Sequence, residues 1–135
     1  MPDSLGSGTY RADAVSFLLK PITLEPVEVS EKERLIQSGA RHYSEMISVE
    51  SPPDETYMAI YTEALRRNAV RLASHINTLA NALASHSSGG RGLALASLAR
   101  AGTPIGVLLT LALRARGIHV EHYSVSIIRG RGLDL

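Results

Sequence analysis

Residues 93–128 read LALASLARAGTPIGVLLTLALRARGIHVEHYSVSII, and three successive patterns in this stretch decide the fold class. The run LALASLA, residues 93–99, is typical of a strand covered on both faces, although alanine and leucine would suit a helix equally well. Residues 105–113 repeat apolar side chains at helical spacing, and residues 118–128 return to a β-rich composition. The stretch predicts a strand, a helix and a second, parallel strand, as in α/β proteins.

The turn between the first strand and the helix consists of Arg100, Ala101, Gly102 and Thr103. We expect Thr103 to be the N-cap and Pro104 the first helical residue. Helix N-termini at the carboxyl edge of a parallel sheet attract anions, and here Gly102 opens the backbone while Arg100 adds a forked cation. These features favour a pyrophosphate ligand. An ordinary tight turn with a capping threonine and a solvated Arg100 explains them equally well.

The N-terminal part, residues 10–85, is predicted to form a helical cap beside the sheet. Residues 1–9 are small and polar, so we expect a flexible tail. Residues 10–19 carry apolar side chains at helix-like spacing and precede Pro21, which predicts a short helix. The following apolar stretch contains Pro26 and can form at best an edge strand or an extended arm.

Two further helices are predicted in this cap. Ser30 and Glu33 have the spacing of a capping box, which predicts a helix over residues 31–38. Asp54 then begins the longest helical pattern, which residues 87–92 end. The segment between these helices has no clear period and is a candidate functional loop.

Composition excludes several classes of function. The chain has 135 residues with 14 basic and 13 acidic side chains, so no overall field attracts nucleic acid, and the single RGRG of residues 129–132 is a weak signal. Absence of cysteine excludes disulfides, thiolate zinc sites and a cysteine nucleophile within this chain. His119 and His122 lie on opposite faces of the predicted strand, so we expect no metal pair.

Targeting signals are also missing from the sequence. The N-terminus has no basic and apolar regions of a signal peptide, and the longest apolar stretch, residues 105–113, is too short to span a bilayer. We expect a cytoplasmic protein without membrane contact.

Four segments carry a resemblance to a known family. They are TYRADAVSFLLKPI (residues 9–22), EKERLIQSGARHYSEMIS (31–48), LARAGTPIGVLL (98–109) and HYSVSIIRGRGLD (122–134). The chain resembles the phosphoribosyltransferase-like StiP family, which is linked to tellurite-stress clusters and labelled a cysteine protease. SLARAGTPIGVLL, residues 97–109, is similar to the pyrophosphate loop of type I phosphoribosyltransferases, where a strand ends in Arg, a small residue and Gly.

The resemblance implies a Rossmann-like phosphoribosyltransferase-type parallel sheet in one domain, residues 10–135. It implies phosphoribosyl pyrophosphate with magnesium as ligand, a base-like acceptor, and Arg100 acting on the leaving pyrophosphate. Arg129 and Arg131 could close over the pyrophosphate as a flap, although solvated terminal residues explain them as well. His42, Tyr43 and Glu45 are candidates for a substrate hood, with local packing and capping as the other explanation.

The resemblance leaves other interpretations of the function open. Family members continue past residue 135 into a ribose phosphate loop, so we expect this chain to be an incomplete, inactive piece. The domain could instead sense phosphates or nucleotides without chemistry, or belong to a protease whose nucleophile lies outside this chain. An incomplete sheet leaves a strand edge open, so a homo-oligomer is a further expectation.

Overall fold

The computed structural model of the chain describes residues 6–87, 92–128, 130 and 132–134. Its helices are α1 (Val29–Gln37), α2 (Glu55–His86) and α3 (Gly102–Arg114), with a 3₁₀ turn at Tyr43–Glu45. Its strands are β1 (Ser16–Phe17), β2 (Leu93–Leu98), β3 (Val120–Ile128) and β4 (Gly132–Asp134). Two compact units result, one of Met1–Pro21 with Leu65–Leu135 and the other of Ile22–Ala64.

The first unit contains a small open sheet with β3 in its middle. β1 and β2 flank β3, and both run parallel to it, with Leu93 opposite Val120 and Ser16 opposite Tyr123. β4 pairs antiparallel with the end of β3, so that Ile128 faces Gly132. The predicted parallel strand, helix and strand over residues 93–128 are therefore confirmed, and the chain is a mixed α/β protein.

One face of this sheet carries the core. Ile76 and Ala80 of α2 pack with Leu109 and Leu113 of α3 against Val120 of β3. The opposite face is uncovered in the described part of the chain, and burial alternates strictly along β2. Ala94, Ala96 and Leu98 are exposed on that face, Leu98 by 48%. The expectation that β2 is covered on both faces is wrong, because only alternate side chains meet another element.

Helix α2 has the predicted bounds but an unexpected exposure. Its start is capped by Asp54, whose carboxylate accepts the backbone N–H of Tyr57 at 2.7 Å. Of its 32 residues, only Ile76 and Ala80 are buried. Among the described residues no helix combines the length and the apolar content that crossing a membrane requires.

The predicted helix over residues 10–19 does not form. Ser16 and Phe17 pair with β3 instead, and the N–H of Leu18 donates to the carbonyl of Ser124 at 2.9 Å. Ala14 and Val15 are buried beside this strand. Pairing with an open sheet edge and burial outweigh the local helical spacing, as tertiary contacts often do. The segment predicted to form a helical cap, residues 10–85, thus has no helix before α1.

Capping in the second unit also differs from prediction. Helix α1 begins after Glu28 without a side-chain cap, so Ser30 and Glu33 form no capping box. The box forms instead around the 3₁₀ turn that follows His42. Pro26 makes an isolated parallel bridge with Ile47, which agrees with the expected extended arm.

Candidate functional site

The turn between β2 and α3 lies at the carboxyl edge of the sheet. The N–H of Ala99 donates to the carbonyl of Val125 at 2.7 Å, which ties the start of the turn to the neighbouring strand. The Ala99–Arg100 peptide is cis. α3 begins at Gly102 with Ala101 as N-cap, two residues earlier than the predicted start. The helix N-terminus therefore lies directly after Arg100.

Thr103 is inside the helix rather than at its N-cap, so that prediction is wrong. Its side chain is 2% exposed, and its Oγ1 lies 2.8 Å from Oγ of Ser124 on β3. Its backbone N–H donates to the carbonyl of Arg100 at 3.2 Å. The hydroxyl group joins the first turn of the helix to the sheet, and it does not point to a ligand as a free donor.

Three donor groups at this turn, one guanidinium and two backbone N–H groups, have no acceptor among the described residues. The exposed guanidinium of Arg100 makes no hydrogen bond or ion pair there, and the N–H groups of Ala101 and Gly102 are unpaired. A Cβ placed on Gly102 would meet only ordinary contacts, the nearest being Cβ of Ser97 at 3.7 Å. The fold itself does not require glycine at this position.

A second polar pair lies beneath the same turn. Oγ of Ser97 is 2.8 Å from Nε2 of His122, and Nδ1 of His122 is 3.0 Å from the carbonyl oxygen of Ala14. Gly106 makes room for this imidazole, since a Cβ there would overlap the ring. The sequence pattern does not single out Ser97, and for His122 it predicts only that no metal pair forms with His119. Both occupy inward positions in the alternation of their strands, which was the signal available.

The hood candidates lie in the unit of residues 22–64. Nδ1 of His42 lies 2.7 Å from Oγ of Ser44, and Glu45 accepts the backbone N–H of His42 at 3.4 Å. The rings of His42 and Tyr43 are tilted with centroids 4.3 Å apart. These contacts build a local cap, and a role in a substrate hood stays a prediction.

The predicted flap residues cannot be placed, because Arg129 and Arg131 lie outside the described residues. Within the described ranges, no three His, Cys, Asp or Glu side chains lie close enough together to hold a metal ion. The turn supplies no carboxylate for magnesium, so we derive no step through a metal.

A separate cleft of about 300 Å³ lies at the start of β3. Arg114 forms part of its wall, and its guanidinium donates to the carbonyls of Asp13 and Val120, each at 2.8 Å. The hydroxyl of Tyr123 donates to Glu121 at 3.2 Å, and this hydrogen bond raises the pKa of Tyr123 above its usual value. Most polar groups of the cleft are thus engaged with one another.

Comparison with known proteins finds a matching family model and a curated relative. A family model described as tellurite-like stress resistance cysteine protease StiP matches residues 8–135. A curated relative from Acinetobacter baylyi, named cysteine protease StiP, is 43% identical over 128 residues, or 95% of this chain. The aligned region is 33% of that relative, so the chain spans about a third of its length. No solved structure gives a significant match.

Proposed function

The chain belongs to the StiP family, and we propose that its turn at Arg100, Ala101 and Gly102 binds the pyrophosphate group of a phosphoribosyl-type ligand. The observation that carries the proposal is the set of three donors without acceptors in the described part of the chain. The family's description concerns tellurite-like stress, and the proposed site would act within such a response.

Electrostatics supports an anion at this position. The first N–H groups of an α-helix have no intrahelical partner and carry about half a positive elementary charge. Arg100 adds a full charge whose planar donors match phosphate oxygens in pairs. The first turn of α3 contains no acidic side chain that would repel an anion. A multiply charged anion such as pyrophosphate gains more from this arrangement than a single carboxylate would.

The reaction proposed for the longer protein is transfer of phosphoribose to or from a base-like acceptor. In this reaction the bond between ribose and pyrophosphate breaks, and charge develops on the departing oxygen. Arg100 and the two N–H groups would stabilise that charge, as fixed donors do where charge grows in a transition state. The described residues near the turn offer no group that we assign to the ribose or to the acceptor.

Calorimetric titration of this chain with inorganic pyrophosphate at low salt tests the proposal, because salt screens exposed anion sites. We expect saturable binding that is lost in Arg100→Ala and weakened in Gly102→Val, whose side chain would crowd the anion. Arg116→Ala is the matched control, since it removes an exposed arginine beyond the other end of α3. Absence of saturable binding, or equal losses in Arg100→Ala and Arg116→Ala, would contradict the proposal.

Peptide hydrolysis is the second candidate, favoured by the name of the relative. That name specifies a cysteine protease, and this chain contains no cysteine. A cysteine nucleophile would therefore lie outside these 135 residues. Incubating the longer relative with unfolded protein, with and without phosphoribosyl pyrophosphate, separates the two candidates: peptide products support the protease, and pyrophosphate release supports the transferase.

A further inference from the structure

Ser97 and His122 form a hydrogen-bonded pair at the carboxyl end of β2, next to the turn. Ser97 is half-buried, whereas His122 is only 4% exposed. The distance of 2.8 Å between Oγ and Nε2 is that of a direct hydrogen bond. A serine that keeps some exposure and a histidine that is shielded behind it are arranged as a nucleophile and its base are.

The contact on the other side of the imidazole determines which nitrogen carries the proton. Nδ1 of His122 lies 3.0 Å from the carbonyl oxygen of Ala14, which can only accept a hydrogen bond. Nδ1 therefore carries a proton, and in the tautomer with one proton the lone pair of Nε2 faces Ser97. The hydroxyl of Ser97 then donates to Nε2, because its alternative acceptor, the carbonyl of Tyr123, is further away at 3.5 Å.

Donors for a developing negative charge lie close to the same serine. The N–H groups of Ala101 and Gly102 have no acceptor in the described chain, and a Cβ built on Gly102 would lie 3.7 Å from Cβ of Ser97. Backbone N–H groups fixed in this way stabilise the oxygen of a tetrahedral intermediate. Nucleophile, base and orienting carbonyl thus occur together within one unit of the molecule, beside the first turn of α3.

We infer that Ser97 is a nucleophile for acyl transfer from an ester or amide, with His122 as its general base. Oγ forms a bond to the substrate carbonyl carbon while its proton moves to Nε2 and the carbonyl π electrons move to oxygen. Collapse of this intermediate expels the alcohol or amine, which takes the proton from Nε2. Water, again deprotonated by His122, then hydrolyses the acyl-serine and restores the free hydroxyl.

This activity goes beyond the pyrophosphate site, and its test needs no pyrophosphate. No cysteine in the chain could take the nucleophile's role, whereas the serine hydroxyl is already hydrogen-bonded to a base. The sequence around it, Leu95-Ala96-Ser97-Leu98-Ala99, has Leu95 and Ala99 where a nucleophile elbow has glycines, so sequence motifs do not reveal it. The pair becomes visible only when β2 and β3 lie side by side.

Labelling with an alkyl fluorophosphonate carrying biotin tests this inference directly, because attack by an activated serine expels fluoride and leaves a stable adduct. Peptide mass spectrometry of the labelled chain should find the adduct on Ser97. We expect no adduct in Ser97→Ala and a labelling rate at least about 100-fold lower in His122→Gln, the usual contribution of a general base. Circular dichroism establishes that each variant is folded.

Ser124→Ala provides the matched control. Ser124 also lies on the covered face of the sheet and is fully buried, but its hydroxyl is bonded to Thr103 and not to a histidine. Labelling of Ser97 should persist in this variant. An adduct distributed equally over several serines, or a rate that His122→Gln leaves unchanged in a folded chain, would overturn the inference.

A second measurement follows the reactivity of position 97 with a different reagent. Because the chain has no cysteine, Ser97→Cys introduces a single thiol whose alkylation by iodoacetamide can be followed without background. A thiol beside a base loses its proton more readily, so Ser97→Cys should react about 10-fold faster than the same variant carrying His122→Gln. Equal rates in the two proteins would also overturn the inference.

Discussion

Helices α2 and α3 both repeat apolar side chains at helical spacing but have very different surroundings. α3 has 13 residues and buries Thr103, Gly106, Leu109, Thr110 and Leu113. α2 has 32 residues and buries only two, both in its C-terminal half. Leu65 of α2 is 54% exposed, whereas Leu113 of α3 is completely buried.

The difference teaches what apolar periodicity can and cannot indicate. A repeat at three and four residues predicts a helix and the face on which it is apolar. It does not say how much of that face another element covers, because coverage depends on partners elsewhere in the chain. In α3 the sheet covers the face along its length, and polar side chains add specific contacts at its first turn.

The largest expected effect comes from the leucines of the two helices. Leu113→Ala should lower the free energy of unfolding by about 2–5 kcal/mol, because it removes buried methyl groups and leaves a cavity. Leu65→Ala should change it by less than about 0.5 kcal/mol, since an exposed leucine loses little by truncation. Urea denaturation measures both. Similar losses in the two variants would mean that α2 is covered as fully as α3.

A second pair of variants compares two glycines within α3. Gly106→Ala should destabilise the chain by about 1–3 kcal/mol, because its Cβ would overlap the ring of His122 and the core would have to shift. Gly102→Ala meets no close neighbour and should be neutral or stabilising by up to about 1 kcal/mol, as expected from helix propensity. Thermal unfolding of both variants distinguishes these outcomes, and a tolerant Gly106 would show that the ring can move.

These local differences explain which parts of the molecule could be predicted from the sequence. The strand, helix and strand of residues 93–128 were predictable from periodicity and flanking glycines, and the start of α2 from its cap Asp54, whereas the N-cap of α3 was not. Residues 10–19 were mispredicted, because pairing with β3 overrides local spacing, which sequence alone does not contain. The turn at Arg100 was located, but the pairing of Ser97 with His122 depends on the register between β2 and β3.

A smaller effect is expected from the hydroxyl pair that anchors α3. Thr103→Val keeps the shape of the side chain but leaves the buried hydroxyl of Ser124 without this partner, which should cost about 1–3 kcal/mol. Adding Ser124→Ala removes the unpaired group, so the double variant should lose less than the sum of the single losses. Urea midpoints of the three proteins give the coupling energy. Strict additivity would mean that the two hydroxyl groups do not interact in solution.

The smallest expected effect concerns the polar contacts that join the two helices. The guanidinium of Arg116 donates to the side-chain carbonyls of Asn77 and Asn81 of α2, each at 3.0 Å, and all three side chains are exposed. Arg116→Ala should therefore lower the free energy of unfolding by at most about 1 kcal/mol, because water replaces exposed hydrogen bonds at little net cost. Hydrogen exchange along α2 should nevertheless increase near these asparagines, since few other contacts hold that helix on α3. A loss above about 2 kcal/mol would show that α2 depends on this arginine more than on its two buried residues.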